Sequence, residues 1–335
     1  MHKPPYTITP IILTLVSKIQ TILGESKHLV VKKPSVKLRK ENKIKTIHHS
    51  LAIEGNSLTE EQISSLIEGK KVIGPKNQIV EVKNAIKLYE QLTDFDPLKE
   101  NDFLIGHKIL MSGLIEKPGR YRQQAVGIFK NGQVSRMAPP AKQVSGLMSN
   151  LFLYLKKDQE TLDLVKACIF HYELEFIHPF EDGNGRMGRL WQQLLLMKVS
   201  PIFEYLPIES LIHKNQKKYY QALEKSDAKG QSTDFVEFSL GMIVDSLNEF
   251  SGKILSAKPK SNDRIEMAAE HFAKLNFSRK DYMLLYKEIS TATASRDLAK
   301  AVASGVLKVK GEKSKTKYQF KIYSVSQPTT RPPSK

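Results

Sequence analysis

Apolar residues recur at spacings of three and four through most of residues 1–255, a period that commits this part of the chain to amphipathic helices. Stretches 84–93, 143–157, 161–177, 189–198 and 234–255 carry it most clearly. Thr59-Glu60-Glu61-Gln62 has the spacing of a capping box, with Thr59 as N-cap and Gln62 reaching back, so a helix is expected to start there. One short stretch breaks the pattern. In AVGIFKNGQVSRM, Val126 and Ile128 alternate ahead of Asn131-Gly132, and Val134 follows. Asn-Gly tolerates positive φ at both turn positions, so this stretch is expected to form a β-hairpin. A hairpin in a helical domain has no packing task of its own, which points to a face turned toward a substrate.

Basic residues outnumber acidic ones 52 to 35, a net charge of +17, and the excess is concentrated. Residues 27–45 carry a net +7 and residues 298–335 a net +8. The first run reads as solvated helix surface; the second suggests an anion-binding face, with nucleic acid the leading candidate. A chain of 335 residues suffices for one large domain and a smaller one. The lone Cys168, flanked by Ala167, Ile169 and Phe170, reads as a buried structural thiol, which fits a reducing compartment and hence the cytoplasm. The charge-free stretch Pro4–Ser17 falls short of the roughly 20 apolar residues a membrane helix needs, so no membrane partner is expected.

The chemistry is concentrated in residues 178–189, HPFEDGNGRMGR, which lie between two helical runs. His178 is the group there whose unperturbed pKa suits proton transfer near neutrality. Glycines allow close backbone approach, and amides at the start of the following helix attract anions. Arg186 and Arg189 suit bidentate binding of phosphate, and Asp182 could hold a magnesium ion bridging phosphates. Gly183-x-Gly185-x-x-Gly188 also matches the dinucleotide fingerprint, but no buried strand precedes it and no βαβ unit surrounds it, so that reading fails.

This segment resembles the motif of the Fic family, HxFx(D/E)GNGRxxR, at every defined position. The resemblance implies a mainly α fold over residues 1–256 in which the hairpin serves as a flap, and a protein adenylyltransferase activity that uses ATP with Mg2+. His178 would be the general base toward a Ser, Thr or Tyr hydroxyl of a target protein, the chain itself being one candidate target. Asp182 would bind the metal. Gly183, Asn184, Gly185, Arg186, Met187, Gly188 and Arg189 would bind the ATP phosphates, with Tyr219 and Tyr220 near adenine. Val126, Gly127, Ile128 and Phe129 would dock a target segment as an added strand. Ser50-Leu51-Ala52-Ile53-Glu54-Gly55 is similar to the family's inhibitory pattern (S/T)xxxE(G/N), on a helix expected at about 46–55. Ser50 and Glu54 lie one turn apart on one face, and Gly55 is a natural helix stop. Glu54 would pair with Arg189 and keep the enzyme self-inhibited. The same site could instead remove AMP from modified proteins, transfer another nucleotide such as UMP, or sense nucleotide for a DNA-binding regulator. A homodimer is a further candidate, since family members often dimerise.

His48 and His49, adjacent on a helix, are expected to point to different sides, and His171 to be structural. Residues 257–262 (AKPKSN) read as a linker, 263–323 as a second domain and 324–335 as a tail. Helices are expected at 263–275, 279–289 and 293–304, followed by a basic two-stranded ribbon in which Tyr318, Phe320 and Ile322 alternate with polar residues. That order is similar to a winged helix-turn-helix. Ser295, Arg296, Lys300, Lys308, Lys310, Lys313 and Lys315 would contact DNA, unless the module serves to bind protein, as winged domains also do.

Overall fold

The computed structural model describes residues 3–25, 36–130, 133–256, 261–286, 289–311 and 316–321. The turn Asn131-Gly132, linker residues 257–260, Lys313, Lys315, Ile322 and the tail 324–335 lie outside the described residues, as do the side chains of Ile128 and Phe129. The chain divides into two compact units, one of residues 1–31 and 38–254, the other of 32–37 and 255–335.

In the first unit, α1 (Pro10–Glu25), α2 (Val36–Ile53), α3 (Glu60–Ile67), α4 (Lys76–Glu90) and α5 (Glu100–Leu110) precede a two-stranded antiparallel sheet, β1 (Gly127–Lys130) and β2 (Gln133–Met137). Then follow α6 (Ala141–Lys157), α7 (Asp163–Ile177), α8 (Asn184–Val199), α9 (Ile208–Lys214), α10 (Gln216–Lys229) and α11 (Thr233–Ser256). The expected hairpin forms, with a register shift between Ile128 and Phe129. Pro10 opens α1, where its missing N–H costs nothing, and the Thr9 hydroxyl accepts from the Ile12 amide. The capping box at Thr59 is complete in both directions.

The core is organised by α7 and α8, which pack along one another. The sequence LVKACIF in α7 is apolar around most of its circumference, as befits a helix buried on several faces. Phe103, Phe152, Phe170, Phe180 and Trp191 form a ring cluster beneath them, and the Trp191 indole donates to Pro97 O at 2.9 Å. Cys168 is fully buried, which pushes its thiol pKa up to about 12. Two helices begin earlier than periodicity suggests: α4 at Lys76 and α8 at Asn184. The first turn of α8, Asn184-Gly185-Arg186, is polar, so the apolar pattern does not reach it; in α4 Ile79, Val80 and the buried Val82 carry the pattern ahead of residue 84. Among the described residues, no helix is long and apolar enough to cross a membrane.

The second unit contains α12 (Ser261–Phe272), α13 (Arg279–Leu285) and α14 (Thr291–Ala303), then the antiparallel pair β3 (Leu307–Lys310) and β4 (Lys317–Phe320). Phe277 stacks between Phe272 at 4.2 Å and Phe320 at 5.5 Å, and Ala268, Leu298 and Leu307 complete a small core. Ala273, at φ 45°, ends α12 before the expected residue 275. Buried in this core is an ion pair: Arg264 donates from Nε to Asp297 Oδ2 at 2.6 Å and from Nη2 to Oδ1 at 3.0 Å, and Tyr282 also donates to the carboxylate. Removing one partner strands the other charge in a place water does not reach. Asp297→Ala should therefore destabilise this unit by about 3 kcal/mol, read as a lower denaturant midpoint for its transition.

Candidate active site

The turn between α7 and α8 is built before its side chains act. His178 caps α7 in the left-handed region at φ 49°, unusual for a non-glycine residue, and its amide bonds Leu174 O at 2.9 Å. Arg122, 3% exposed, holds this conformation from outside. Its Nε donates to His178 O at 2.7 Å, its Nη2 to Ile177 O and Pro139 O, its Nη1 to Gln124 O, and its amide to Pro179 O. One guanidinium thus ties the His178 backbone to the segments on both sides of the hairpin.

His107 supports the same loop from below. Its ring stacks on Phe180 with centroids 3.5 Å apart. The Gly119 amide donates to Nδ1 at 2.8 Å, so the proton sits on Nε2, which donates to Asp182 O at 3.0 Å. Asn184 closes the loop: its Oδ1 accepts from Phe180 N at 2.9 Å, and its Nδ2 donates to Phe180 O at 3.1 Å. Neither Arg122 nor His107 is legible in the sequence, because each acts on backbone groups far along the chain and belongs to no motif.

Gly183 and Gly185 bring the backbone to the edge of a cavity of about 680 Å³. Glu54, Glu175, His178, Asp182, Tyr219, Tyr220 and, from the hairpin, Val126 and Gly127 also line it. Because α8 starts at Asn184, its unpaired first amides face this space, an arrangement that attracts anions. The helical turn also redirects two residues expected to bind ATP. Met187 is fully buried in the core and its amide bonds Gly183 O, and a Cβ on Gly188 would lie 2.7 Å from His171 Cδ2, so both face α7 or the core rather than the cavity. Asn184 likewise spends its side chain on the loop, leaving any anion hole to backbone amides. Tyr219 is 2% exposed, its ring against His171 and Phe235 and its hydroxyl 3.5 Å from Glu175 Oε1; Tyr220 is 39% exposed. His171 is buried and bonded to Gln192 at 2.6 Å, and burial lowers its pKa to about 3.

The two arginines differ in their partners. Arg186 pairs with Glu81, which also accepts from Asn56 at 2.7 Å, and with Asp182 Oδ1 at 2.6 Å. Arg189 reaches across to the end of α2: Nη2 donates to Glu54 Oε1 at 2.7 Å and Ser50 O at 2.9 Å, and Nε to Ser50 Oγ at 3.2 Å. Ser50 and Glu54 thus share the face their spacing implies, and Gly55, at φ 91°, ends the helix. Gly185 permits this arrangement: a Cβ there would lie 2.4 Å from Glu54 Oε1. Arg189 Nη1 and Arg186 Nε are buried without hydrogen-bond partners among the described residues, donors that suit an arriving oxyanion. Asp182, its side chain 58% exposed at the cavity, offers the hard oxygen donor that suits Mg2+.

Burial lowers the His107 pKa from 6.5 to about 4, and Arg186 adds to the effect. Between those values the unfolded chain binds a proton that the folded chain does not, so stability falls as the pH drops from 6.5 to 4. The loss should be on the order of 3 kcal/mol. His107→Gln should remove this part of the slope, measured as the difference in denaturation free energy between wild type and variant across that range.

Residues 97–196 match the Fic/DOC family. The crystal structure of a Fic family protein from Desulfovibrio desulfuricans G20 is similar over 98% of this chain and 100% of that one, with a TM-score of 0.73 and 38% identity. The protein adenylyltransferase Fic of Culex quinquefasciatus is 32% identical over 59% of this chain and 40% of its own length. That of Nematostella vectensis is 29% identical over 61% and 48%. The chain thus spans less than half the length of these curated relatives. Fic-1 of C. elegans, at 22% identity with a TM-score of 0.60 over 73% of each chain, shares the fold. With the motif, the helical scaffold and a full-length relative in agreement, the chain belongs to the Fic family.

Proposed function

We propose that this chain is a protein adenylyltransferase that transfers AMP from ATP to a Ser, Thr or Tyr hydroxyl of a target protein and is held inactive by Glu54. The observation that carries this reading is Glu54, paired with Arg189, at the wall of a cavity also lined by His178 and the Gly183–Gly185 backbone. His178 takes the proton from the attacking hydroxyl. Its oxygen bonds to the α-phosphorus, the bond to the bridging oxygen breaks, and pyrophosphate leaves with that electron pair. Backbone amides of the α8 turn and Arg186 stabilise charge on the phosphates, so most of the rate comes from positioning and preorganised dipoles. A Mg2+ ion on Asp182 would neutralise phosphate charge there. Arg189 would take the γ-phosphate, which requires it to give up Glu54. The curated relatives named protein adenylyltransferase support the activity, and the protein target follows from it.

The strand edges beside Val126 and Gly127, next to the cavity, would receive a target segment as an added strand. The direction of transfer is open to the same experiment, because Glu54 also stands where it could orient a water toward a phosphodiester. Incubation with ATP labelled at the α-phosphate, magnesium and lysate should give about ten- to a hundredfold more labelled protein for Glu54→Gly than for wild type, the range expected for losing one charge-assisted hydrogen bond. Adding His178→Ala should abolish it. Label in no lane, despite bound ATP, would favour AMP removal or nucleotide sensing.

The second unit is proposed to be a winged helix that binds duplex DNA. Arg296 and Lys300 are exposed on α14, and Lys308 and Lys310 are exposed on β3, two residues apart on one face. Ser295 is partly engaged, accepting from Arg279 at 3.0 Å. If the lysines contact phosphates, Lys308→Ala and Lys310→Ala should each reduce the slope of log affinity against log salt by about 0.9. An unchanged slope in both, measured by fluorescence anisotropy on a duplex, would exclude that contact.

A further inference from the structure

We propose that His48, His49 and Glu60 form a binding site for a divalent transition-metal ion of the zinc class, beside the turn that carries Glu54. One ligand atom from each residue lies within 4.8 Å of the other two. Adjacency in sequence argues against this, yet the geometry allows it. Neighbours on a helix diverge by about 100° rather than 180°, and here the two rings fold together with centroids 4.7 Å apart in an edge-on contact. Glu60 arrives from a different element, as the first residue of α3.

The nitrogens are prepared for a metal. His49 Nδ1 lies 2.8 Å from Lys45 O, so that nitrogen carries the proton and Nε2 keeps its lone pair. Ser210 Oγ lies 3.1 Å from the same Nδ1. A backbone carbonyl holding the far nitrogen is the usual support for a metal-bound imidazole. His48 Nδ1 is buried with no hydrogen-bond partner among the described residues and lies 3.8 Å from Glu60 Oε1. A buried nitrogen in that state is costly, and a metal ion would satisfy it. His213, on α9, packs its ring 5.2 Å from that of His49 on the flank of the cluster.

Burial lowers the pKa of all three imidazoles, opposed at His48 by Glu60 and at His49 by Lys45 O. Two imidazoles and a carboxylate suit zinc, cobalt or nickel rather than magnesium. Metal–nitrogen bonds of about 2.0–2.1 Å require the ligand atoms to close in by roughly an ångström, within reach of side-chain rotation. The ligands join α2 to α3, Ser50 follows His49 on α2 and Glu54 lies in the turn after it, so an occupied site would stiffen the segment that presents Glu54 to Arg189. Any effect on nucleotide transfer would rest on the proposed adenylyltransferase activity; metal binding does not.

The test is calorimetric titration of ZnCl2 into the tag-free, chelator-treated full chain, with Co2+ absorption as a report on coordination. Wild type should take up one ion per chain with a rise in Tm. Glu60→Gln, at a half-buried helix start, should weaken binding at least about tenfold, and His48→Gln with His49→Gln should abolish it, with circular dichroism unchanged. His178→Ala with Asp182→Ala should bind as wild type does. Absence of uptake by wild type would overturn the proposal. So would uptake that survives loss of both histidines, or uptake lost with His178 and Asp182.

Discussion

A guanidinium as deeply buried as that of Arg189, whose side chain is 1% exposed, must be given partners, and most of the site follows from how this is done. The partners come from α2, well over a hundred residues earlier, as two groups one helical turn apart. Their arrival fixes where α2 ends, why Gly55 follows, and why position 185 carries no side chain. Glu54, the acidic partner, also lines the cavity that holds His178 and the Gly183–Gly185 backbone. Under the proposed function, the nucleotide and Glu54 would compete for one cation, and the pair seen here would be the inhibited state.

The rest of the site is a rigid backbone loop with few free side chains. Arg122 and His107 act on carbonyls, and Asn184 acts on Phe180. These bonds hold His178 in a left-handed conformation and keep the Gly183–Gly185 backbone against the cavity. The proposed transfer, which works by positioning, would need such stiffness, because it asks little covalent chemistry of the protein. It also explains why conspicuous motif residues such as Asn184, Met187 and Gly188 face inward: they build the loop that other groups use.

Much of this architecture is legible in the order of residues. The helical period marks the core helices, Asn-Gly marks the hairpin, and the spacing of Ser50 and Glu54 puts them on one face. Helix boundaries escape the pattern where the first turn is polar, as at Asn184, because periodicity registers only the buried side of a helix. His107, Arg122 and Glu81 escape it for a different reason. Each is a single polar residue whose partners lie far along the chain, and no local pattern encodes a contact of that kind.

The class of elements, the chemistry of residues 178–189 and their family resemblance all depend on local period and residue identity, so the linear chain carries them in full. Which charges meet is settled by packing. The folded chain pairs Arg189 with Glu54 and Arg186 with Glu81, turns Tyr219 inward, and brings His48 and His49 against Glu60. Burial makes an unpaired charge or lone pair expensive, and burial belongs to the packed molecule rather than to any one segment of it.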